Sequence, residues 1–295
     1  MGTSEGALGT CCDFQSMITE KGNASGSAFK FPNTVYNAAG GYLSICSGIK
    51  GYNVTVTNGA QSGLASMAYA MSVLRSGQEN AMLATGSDEN SDTMTELFGK
   101  LGVTSENVVA PFAGKDGFVL SDGSASVLIE DEKAARERGA RIYCHAAGYG
   151  MAHSNVKFGT LTGSEAGLTN AVNNALADAG MTIDDIDAVF GFANGMKAVD
   201  DVEIKGLTAV FGDKLAEKPV VELKEVLGES RAAAATTAAA HAALMFAGKI
   251  PSQEAYSIAA DGSVSKTNVE ASKLNNVLVV AYGAGGSYTA IVLSK

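Results

Sequence analysis

The chain has 295 residues, of which 46% are hydrophobic, and carries a formal net charge of −10. This length and composition are typical of a globular protein with a substantial core. The acidic balance and the lack of a Lys/Arg run exclude a nucleic-acid-binding surface, because phosphates require basic partners. No apolar window is long enough to span a membrane, and the first ten residues lack a basic and apolar leader pattern. We therefore expect no membrane contact and a soluble, cytoplasmic protein.

The cysteines and histidines do not form a metal-binding pattern. The four cysteines have no CxxC spacing, and the three histidines, His145, His153 and His241, lie in separate segments. The glycine-rich stretches GTSEGALG and GAGG do not complete a nucleotide-binding fingerprint. We expect no metal and no cofactor, and we expect Cys46 and Cys144 to lie in the core.

The first group of predicted elements runs to about residue 137. The patterns predict a helix near residues 60–76, a strand over 81–87 and a β-hairpin over 117–131. In the hairpin, two apolar runs flank Ser121-Asp122-Gly123, which is typical of a turn. The stretch EKAARERGA then predicts a short helix.

A second group follows with a similar order. It has the strand RIYCHAAGYG, the helix GLTNAVNNALADAG with Gly180 as a C-cap, the strand DAVFGFANG, an alanine-rich helix and a final strand pair. Buried Val/Ile runs that alternate with helices are typical of an α/β fold. The repetition predicts two related α/β halves, residues 1–137 and 138–295.

The stretch VTVTNGAQSGLASMAYAM, residues 54–71, passes from a β-rich run through a turn of small residues into a helix. Enzymes use this layout to present a nucleophile at a helix N-terminus. The turn contains no cysteine. Ser62 lies near the helix start, where a hydroxyl more often caps the backbone, and no histidine is placed to activate it.

These segments, taken in order, resemble the β-ketoacyl-acyl carrier protein synthases, the condensing enzymes of the thiolase fold. The matching stretches include FPNTVYNAAGGYLSICSGIKGYNVTVT, KDGFVLSDGSASVLIEDEKAARERGARIY and GAGGSYTAIVLSK, and they cover nearly the whole chain. The resemblance implies a thiolase-like fold in which the two halves form an αβαβα layered sandwich.

The resemblance also implies a truncated N-terminal half. GTSEGALG corresponds to the glycine-rich turn after the family's second strand, so the first strand and first helix have no counterpart. The family's first strand lies in the middle of the sheet, where unpaired backbone groups are unfavourable. We expect that another polypeptide supplies this strand, that the sheet closes differently, or that the chain is a fragment.

The catalytic positions implied by the resemblance are degenerate. The acyl-carrying cysteine of the family falls on Ala60, the first histidine on Asn194 and the second on Glu229, while Lys224 keeps its place. An alanine cannot form a thioester, and an anionic carboxylate repels the malonyl group and its enolate. The acidic pair of the first histidine motif is matched to Asp201 and Glu203. We expect Glu229 and Lys224 to pair with each other.

The resemblance places further residues along the acyl tunnel and its gate. Two threonines that contact the pantetheine arm become Met196 and Ala198, and the gate reads Gly283-Ala284-Gly285-Gly286. Gln61 follows the lost nucleophile, and chain length factors, the partner subunits of type II polyketide ketosynthases, carry a glutamine in place of that cysteine. We expect Gln61, Met196, Ala198, Gly283, Ala284 and Gly285 to line the tunnel or gate.

Family members dimerise through the strand that corresponds to residues 51–57, so Tyr52, Val54 and Val56 are expected at an interface. The leading hypothesis is a catalytically inactive, chain length factor-like subunit. It would pair with an active ketosynthase in type II fatty-acid or polyketide biosynthesis and meet acyl carrier protein through that complex. The alternatives are an enzyme with a repurposed site at Asn194, Glu229 and Lys224, for which a raised pKa of Glu229 would argue, or an acyl-binding scaffold.

Overall fold

The structure is a computed structural model that describes residues 1–115, 117–157 and 163–295. The helices in these ranges are α1 (Leu8–Lys21), α2 (Ala38–Ser47), α3 (Ser62–Arg75), α4 (Asp92–Lys100), α5 (Glu132–Glu137), α6 (Glu165–Ala179), α7 (Lys197–Phe211), α8 (Lys224–Leu227) and α9 (Ala232–Phe246). The strands are β1 (Ala81–Asp88), β2 (Gly123–Glu130), β3 (His145–His153), β4 (Ala188–Phe190), β5 (Val220–Val221), β6 (Ser252–Ile258), β7 (Val264–Glu270), β8 (Asn276–Gly283) and β9 (Ser287–Ser294).

Two sheets organise the described residues. β1 and β2 pair antiparallel along eight residues each, from Ala81 opposite Glu130 to Asp88 opposite Gly123. The second sheet has the order β3-β9-β8-β4-β5-β6-β7. Within it β4 runs parallel to both β5 and β8, and the remaining pairs are antiparallel. The protein thus has the mixed α/β architecture that the sequence predicted.

Helices α3 and α9 lie between the two sheets. α3 packs on β1 and β9, α9 packs on β1, β2 and β8, and α6 covers the far face of the second sheet over β3 and β9. A Cβ added to Gly63 or Gly86 would lie 2.0 or 2.3 Å from the carbonyl oxygen of Ala232. Only glycine permits this backbone contact, so these two positions let α3, β1 and the start of α9 meet closely.

Residues 1–3 are extended and lie between residues 54–56 and β1. The N–H of Gly2 donates to the carbonyl of Thr85 (2.6 Å), and the N–H of Thr3 donates to the carbonyl of Val56 (3.1 Å). Residues 1–3 therefore fill the space between residues 54–56 and β1 at this point. The three arrangements that the sequence left open for the family's first strand stay predictions.

Several local predictions are confirmed. The helix predicted near 60–76 is α3, and the alanine-rich helix is α9. Gly180 caps α6 in the left-handed conformation, with φ 65° and ψ 28°. The final strand pair is β8 and β9, which are antiparallel with Val277 opposite Leu293.

The hairpin predicted over residues 117–131 is wrong. β2 begins only at Gly123 and pairs with β1, while Phe118 and Leu120 form isolated bridges to Thr104 and Glu229. The backbone of residues 119–121 is instead bonded to the loop at Glu229, whose N–H donates to the carbonyl of Val119. Long-range pairing has thus replaced the local turn that the Ser-Asp-Gly triplet suggested.

The core prediction for Cys46 is also wrong, because its side chain is exposed on α2. α2 lies at the surface and only Gly40 among its residues is buried. Cys144 is half-buried, and burial raises the pKa of its thiol to about 11. Among the described residues, no helix is long and apolar enough to cross a membrane, and no cluster of three or more His, Cys, Asp or Glu side chains could hold a metal ion.

Candidate functional site

The turn before α3 is fixed by a serine. The Ser62 hydroxyl accepts a hydrogen bond from the N–H of Asn58 (2.7 Å) and donates one to the carbonyl of Gly59 (2.6 Å). Ser62 is buried, so its hydroxyl holds the turn and is not a free nucleophile. Ala60, at the tip of this turn, is half-buried and presents only a methyl group.

Gln61 follows Ala60 and is fully buried. Its Oε1 accepts a hydrogen bond from the Thr289 hydroxyl on β9, whereas its Nε2 has no hydrogen-bond partner among the described residues. The side chain therefore ties the start of α3 to the second sheet. A buried amide donor without a partner is unfavourable unless water or another group meets it.

Asn194, Lys224 and Glu229 meet in the interior. Lys224 Nζ and Asn194 Nδ2 each lie 2.8 Å from Glu229 Oε2 and donate to it. Lys224 Nζ also donates to the carbonyl of Phe192 (3.0 Å) and lies 3.1 Å from the centre of that residue's ring. The expected pairing of Glu229 with Lys224 is present in the structure.

The second carboxylate oxygen of Glu229 is also occupied, because Oε1 accepts the N–H of Arg231 at 2.8 Å. Burial alone would raise the pKa of Glu229, but the Lys224 ammonium and the donors from Asn194 and Arg231 outweigh burial. The pKa of Glu229 therefore lies below its usual value. The ionised form of Glu229 is therefore favoured and both of its oxygens are hydrogen-bonded, which is the opposite of what a general acid requires.

The acidic residue that shapes the Asn194 loop is Asp200, and the sequence match to Asp201 is wrong. Asp200 Oδ1 accepts the N–H groups of Asn194 (3.0 Å) and Gly195 (3.1 Å), while Oδ2 accepts that of Phe112 (2.7 Å). Asp201 lies at the surface and pairs with Lys197 one helical turn away. Burial raises the pKa of Asp200 to about 6, against the lowering effect of these three donors. The sequence spacing could not decide which of the two adjacent aspartates bonds to the Asn194 loop.

Two buried glutamates face each other behind Lys224. A Cβ added to Gly191 would lie 1.9 Å from Glu222 Oε1 and 2.3 Å from Glu203 Oε1, so both oxygens border one small space. These oxygens find no donor among the described residues. Burial and the neighbouring Glu203 raise the pKa of Glu222 well above its usual value. The pair is therefore able to share one proton.

Arg231 connects this interior to the N-terminal segment. Its guanidinium is almost fully buried, with Nε 3.0 Å from Glu5 Oε2 and 3.9 Å from Asp88 Oδ2. Its backbone has φ 51°, a left-handed conformation that is rare for a residue with a side chain. Burial and the charge of Asp88 raise the pKa of Glu5 to about 7, although Arg231 opposes this rise.

The residues predicted for the tunnel and gate differ in their exposure. Gly283 is buried against the turn at Ala60, where a Cβ on Gly283 would lie 3.7 Å from the Ala60 nitrogen. Ala284 and Gly285 are exposed in the turn between β8 and β9. Met196 is nearly buried. Their roles in a tunnel remain predictions.

Two cavities lie near these residues. A solvent-open cleft of about 690 Å³ separates the first turns of α6 and α7, and its lining includes Ala198, Lys197 and Lys205. The cavity beside Lys224 and Phe192 measures only about 10 Å³, which is about the room needed for one water molecule. A substrate cannot reach Lys224 through a space of this size without movement of the surrounding residues.

The sequence did not identify Glu5, Glu222 and Arg231 as members of this interior. Glu222 lies in the apolar run VVELK. A carboxylate at the end of a buried strand is unusual, so this pattern could have indicated a functional residue. Glu5 and Arg231 lie far apart in the chain, and no periodic pattern links them.

Comparison with known proteins identifies the family. The sequence profile described as "Beta-ketoacyl synthase, N-terminal domain" matches residues 1–135, and that described as "Beta-ketoacyl synthase, C-terminal domain" matches residues 143–256. The chain belongs to the β-ketoacyl synthase family.

Three similar proteins illustrate the match. The 3-oxoacyl-[acyl-carrier-protein] synthase 2 of Vibrio harveyi is 28% identical over 229 residues, which are 75% of this chain and 55% of that protein. The ishigamide ketosynthase/chain length factor structure has a TM-score of 0.88 at 22% identity, covering 100% of this chain and 74% of that one. A type II polyketide synthase acyl-carrier protein in complex with its ketosynthase gives 0.89 at 19% identity, covering 100% and 76%. The chain thus has the thiolase-like fold, and it spans about half the length of the curated relatives it matches.

Proposed function

We propose that this chain is a catalytically silent ketosynthase-like subunit that pairs with an active ketosynthase in type II fatty-acid or polyketide biosynthesis. The observation that carries the proposal is the alanine at the start of α3. A thiolate at a helix N-terminus is stabilised by the helix dipole and can accept an acyl group, whereas the methyl group of Ala60 can do neither.

The buried contacts of Glu229 also support a catalytically silent role. Glu229 stands where the resemblance implies a histidine, and its three bonds to Lys224, Asn194 and Arg231 engage both of its carboxylate oxygens. A carboxylate at this place also disfavours the enolate that decarboxylation produces. The lowered pKa of Glu229 argues against the repurposed-enzyme alternative, which requires a protonated or readily protonated acid.

The edge formed by residues 51–57 supports pairing with another subunit. Val54 and Val56 bond to residues 1–3 through one side of this segment, and residues 53–57 form no other backbone–backbone hydrogen bond among the described residues. Tyr52 is about half-exposed beside it, and α2, which packs on this segment, carries the exposed side chains of Tyr42 and Ile45. An extended edge beside apolar side chains is suited to sheet continuation across an interface.

In this proposal the subunit stabilises its partner and shapes an acyl tunnel at their interface, where Ala60 and Ala284 supply space. Acyl carrier protein would reach the complex through the active partner. The names of two neighbours fit this assembly, since one is a ketosynthase/chain length factor and the other a ketosynthase with its carrier protein.

The test is co-purification of the tagged chain, with the partner identified by mass spectrometry and the stoichiometry measured by native mass spectrometry. An equimolar partner that carries its own nucleophilic cysteine and two histidines supports the proposal. A homodimer without such a partner contradicts it. Condensation of acyl and malonyl carrier thioesters by the purified chain, above a no-enzyme control, contradicts the silent role directly.

A further inference from the structure

Residues 108–114 lie over the loop that carries Asn194, and we call them the cover. A Cβ added to Gly195, the residue after Asn194, would lie 2.6 Å from Cγ1 of Val109 in the cover. Pro111 of the cover is buried. The exposed residues of the cover are Val108, Ala113 and Gly114. The cover therefore has one face against the Asn194 loop and the other in solvent.

One hydrogen bond joins the cover to the rest of the described residues. The N–H of Phe112 donates to Oδ2 of Asp200 at 2.7 Å, and Asp200 is buried. The other hydrogen bond of the cover, from the N–H of Ala113 to the carbonyl of Ala110 at 3.3 Å, lies within it. A short segment with a single bond to its surroundings separates from them at a lower free energy than a fully paired strand does.

The chain after the cover is bonded to other segments. The N–H of Phe118 donates to the carbonyl of Val103 (3.0 Å), and the N–H of Ser105 donates to the carbonyl of Phe118 (2.9 Å). The N–H of Glu229 donates to the carbonyl of Val119 (2.7 Å). These bonds close the base of the loop, so the cover is able to move while the residues at its base stay in place.

Phe112 has a strained backbone. Its φ is 63°, in the left-handed region that is rare for a residue with a bulky side chain. In this conformation its N–H meets Asp200 while its ring packs edge-on against the ring of Tyr256, with 5.2 Å between the ring centres. Loss of these contacts lets the backbone relax, so the strain favours movement of the cover once the bond to Asp200 is broken.

Asp200 couples the cover to the Asn194 loop. Its Oδ1 accepts the N–H groups of Asn194 and Gly195, while its Oδ2 accepts that of Phe112. The side chain of Asn194 donates in turn to Glu229. When the N–H of Phe112 leaves, water reaches the carboxylate and competes with the two remaining donors. Movement of the cover is therefore expected to loosen the Asn194 loop as well.

From these contacts we infer that the cover opens as a unit, that the Phe112–Asp200 hydrogen bond is its latch, and that opening exposes the Asn194 loop without unfolding the protein. The cavity beside Lys224 measures only about 10 Å³, so a small molecule needs such a movement to reach the interior. This inference is independent of whether the chain is catalytically silent.

Native-state hydrogen exchange of the full chain measures this opening. It is carried out at about pH 7.5, above the pKa of about 6 of Asp200, so that the carboxylate is ionised. The amides of Phe112, Asn194 and Gly195 are expected to exchange at rates that urea below the unfolding transition hardly changes. The amide of Val279 in β8 is expected to exchange only by global unfolding, at least about 100-fold more slowly.

Two substitutions of Phe112 separate strain from packing. Phe112→Gly and Phe112→Ala both keep the N–H and remove the ring, but only glycine adopts the left-handed conformation without strain. The Asn194 and Gly195 amides are expected to exchange about fivefold more slowly in Phe112→Gly than in Phe112→Ala. Val108→Ala changes an exposed side chain of the same cover and is expected to leave these rates unchanged.

Exchange of the Phe112, Asn194 and Gly195 amides only by global unfolding would overturn the inference, and the unsubstituted chain suffices for this result if a variant does not fold. Equal rates in Phe112→Gly and Phe112→Ala would also overturn it, because the strain would then have no effect on the opening. Faster exchange of the residue 112 amide in Phe112→Ala, with unchanged Asn194 and Gly195 amides, would contradict the coupling through Asp200.

Discussion

Lys224 Nζ lies 2.8 Å from Glu229 Oε2, and each of the two side chains is 6% exposed. Removing one member of a buried pair leaves an uncompensated charge, which costs about 3–5 kcal/mol. Removing both charges costs much less when the shapes are kept. The interior therefore tolerates these two charges only as a pair.

The first prediction tests this unit by urea unfolding. Lys224→Met is expected to lower the free energy of unfolding by about 3–5 kcal/mol, whereas Lys224→Met combined with Glu229→Gln is expected to recover most of the loss. The control is Lys100→Met, which breaks the exposed pair with Glu96 and is expected to cost less than about 1 kcal/mol. Additive losses in the double variant would show that the two side chains do not act together.

The second prediction concerns Ala60, the position that the resemblance matches to the family's nucleophilic cysteine. Ala60→Cys is expected to create a thiol that iodoacetamide modifies, because the position is half-buried at the start of α3. It is expected not to produce condensation of acyl and malonyl thioesters, since Glu229 and Asn194 remain bonded to each other. Product formation is measured by mass spectrometry against the unmodified chain. Condensation above that background by Ala60→Cys would mean that the carboxylate does not block the chemistry.

The third prediction is the pH dependence of stability due to Glu222. Its pKa is raised in the folded state by burial and then by Glu203, so the folded protein retains a proton that the unfolded chain releases above its ordinary pKa. The stabilisation is complete below that ordinary value and is lost as the pH rises toward the folded pKa. Asp200, raised to about 6, and Glu5, raised to about 7, act in the same direction.

We therefore expect the free energy of unfolding to fall as the pH rises from the ordinary carboxyl pKa, about 4, through the raised values of about 6 for Asp200 and about 7 for Glu5, and Glu222→Gln to make this fall shallower. Glutamine keeps the shape and remains uncharged throughout. Glu217→Gln is the control, because that side chain lies in a surface turn after α7. An unchanged slope in Glu222→Gln would mean that the buried pair does not hold the proton.

The sequence predicted the helices and strands more accurately than it predicted the side-chain contacts of the site. α3, α6 and α9 have long helical patterns with clear ends, and Gly180 has the one backbone conformation that its C-cap position requires. Local patterns carry this information because a helix is bonded within itself. Residues 117–121 do not form the predicted hairpin strand, because Leu120 pairs with Glu229, which is distant in the chain.

Only part of the candidate site was predicted, because its remaining contacts also join residues that are distant in the chain. Resemblance identified Asn194, Lys224 and Glu229, and the structure brings these three together. It did not indicate Glu222, because a carboxylate in an apolar run becomes part of a site only through its neighbours in space. Burial and the neighbouring Glu203 together determine its charge state, and neither is encoded locally.

The last prediction separates the proposed subunit interface from other exposed apolar positions. Ile45 on α2 is 76% exposed, and Val226 on α8 is 79% exposed. Ile45→Asp is expected to abolish association with the proposed ketosynthase partner, because it would place a charge in the proposed apolar contact beside residues 51–57. Val226→Asp is expected to leave association intact. Both changes lie at the surface, so the unfolding free energy of the isolated chain is expected to change by less than about 0.5 kcal/mol in each variant. Association is measured by native mass spectrometry at equal concentrations, and equal loss or equal retention of the complex in the two variants would place the interface elsewhere.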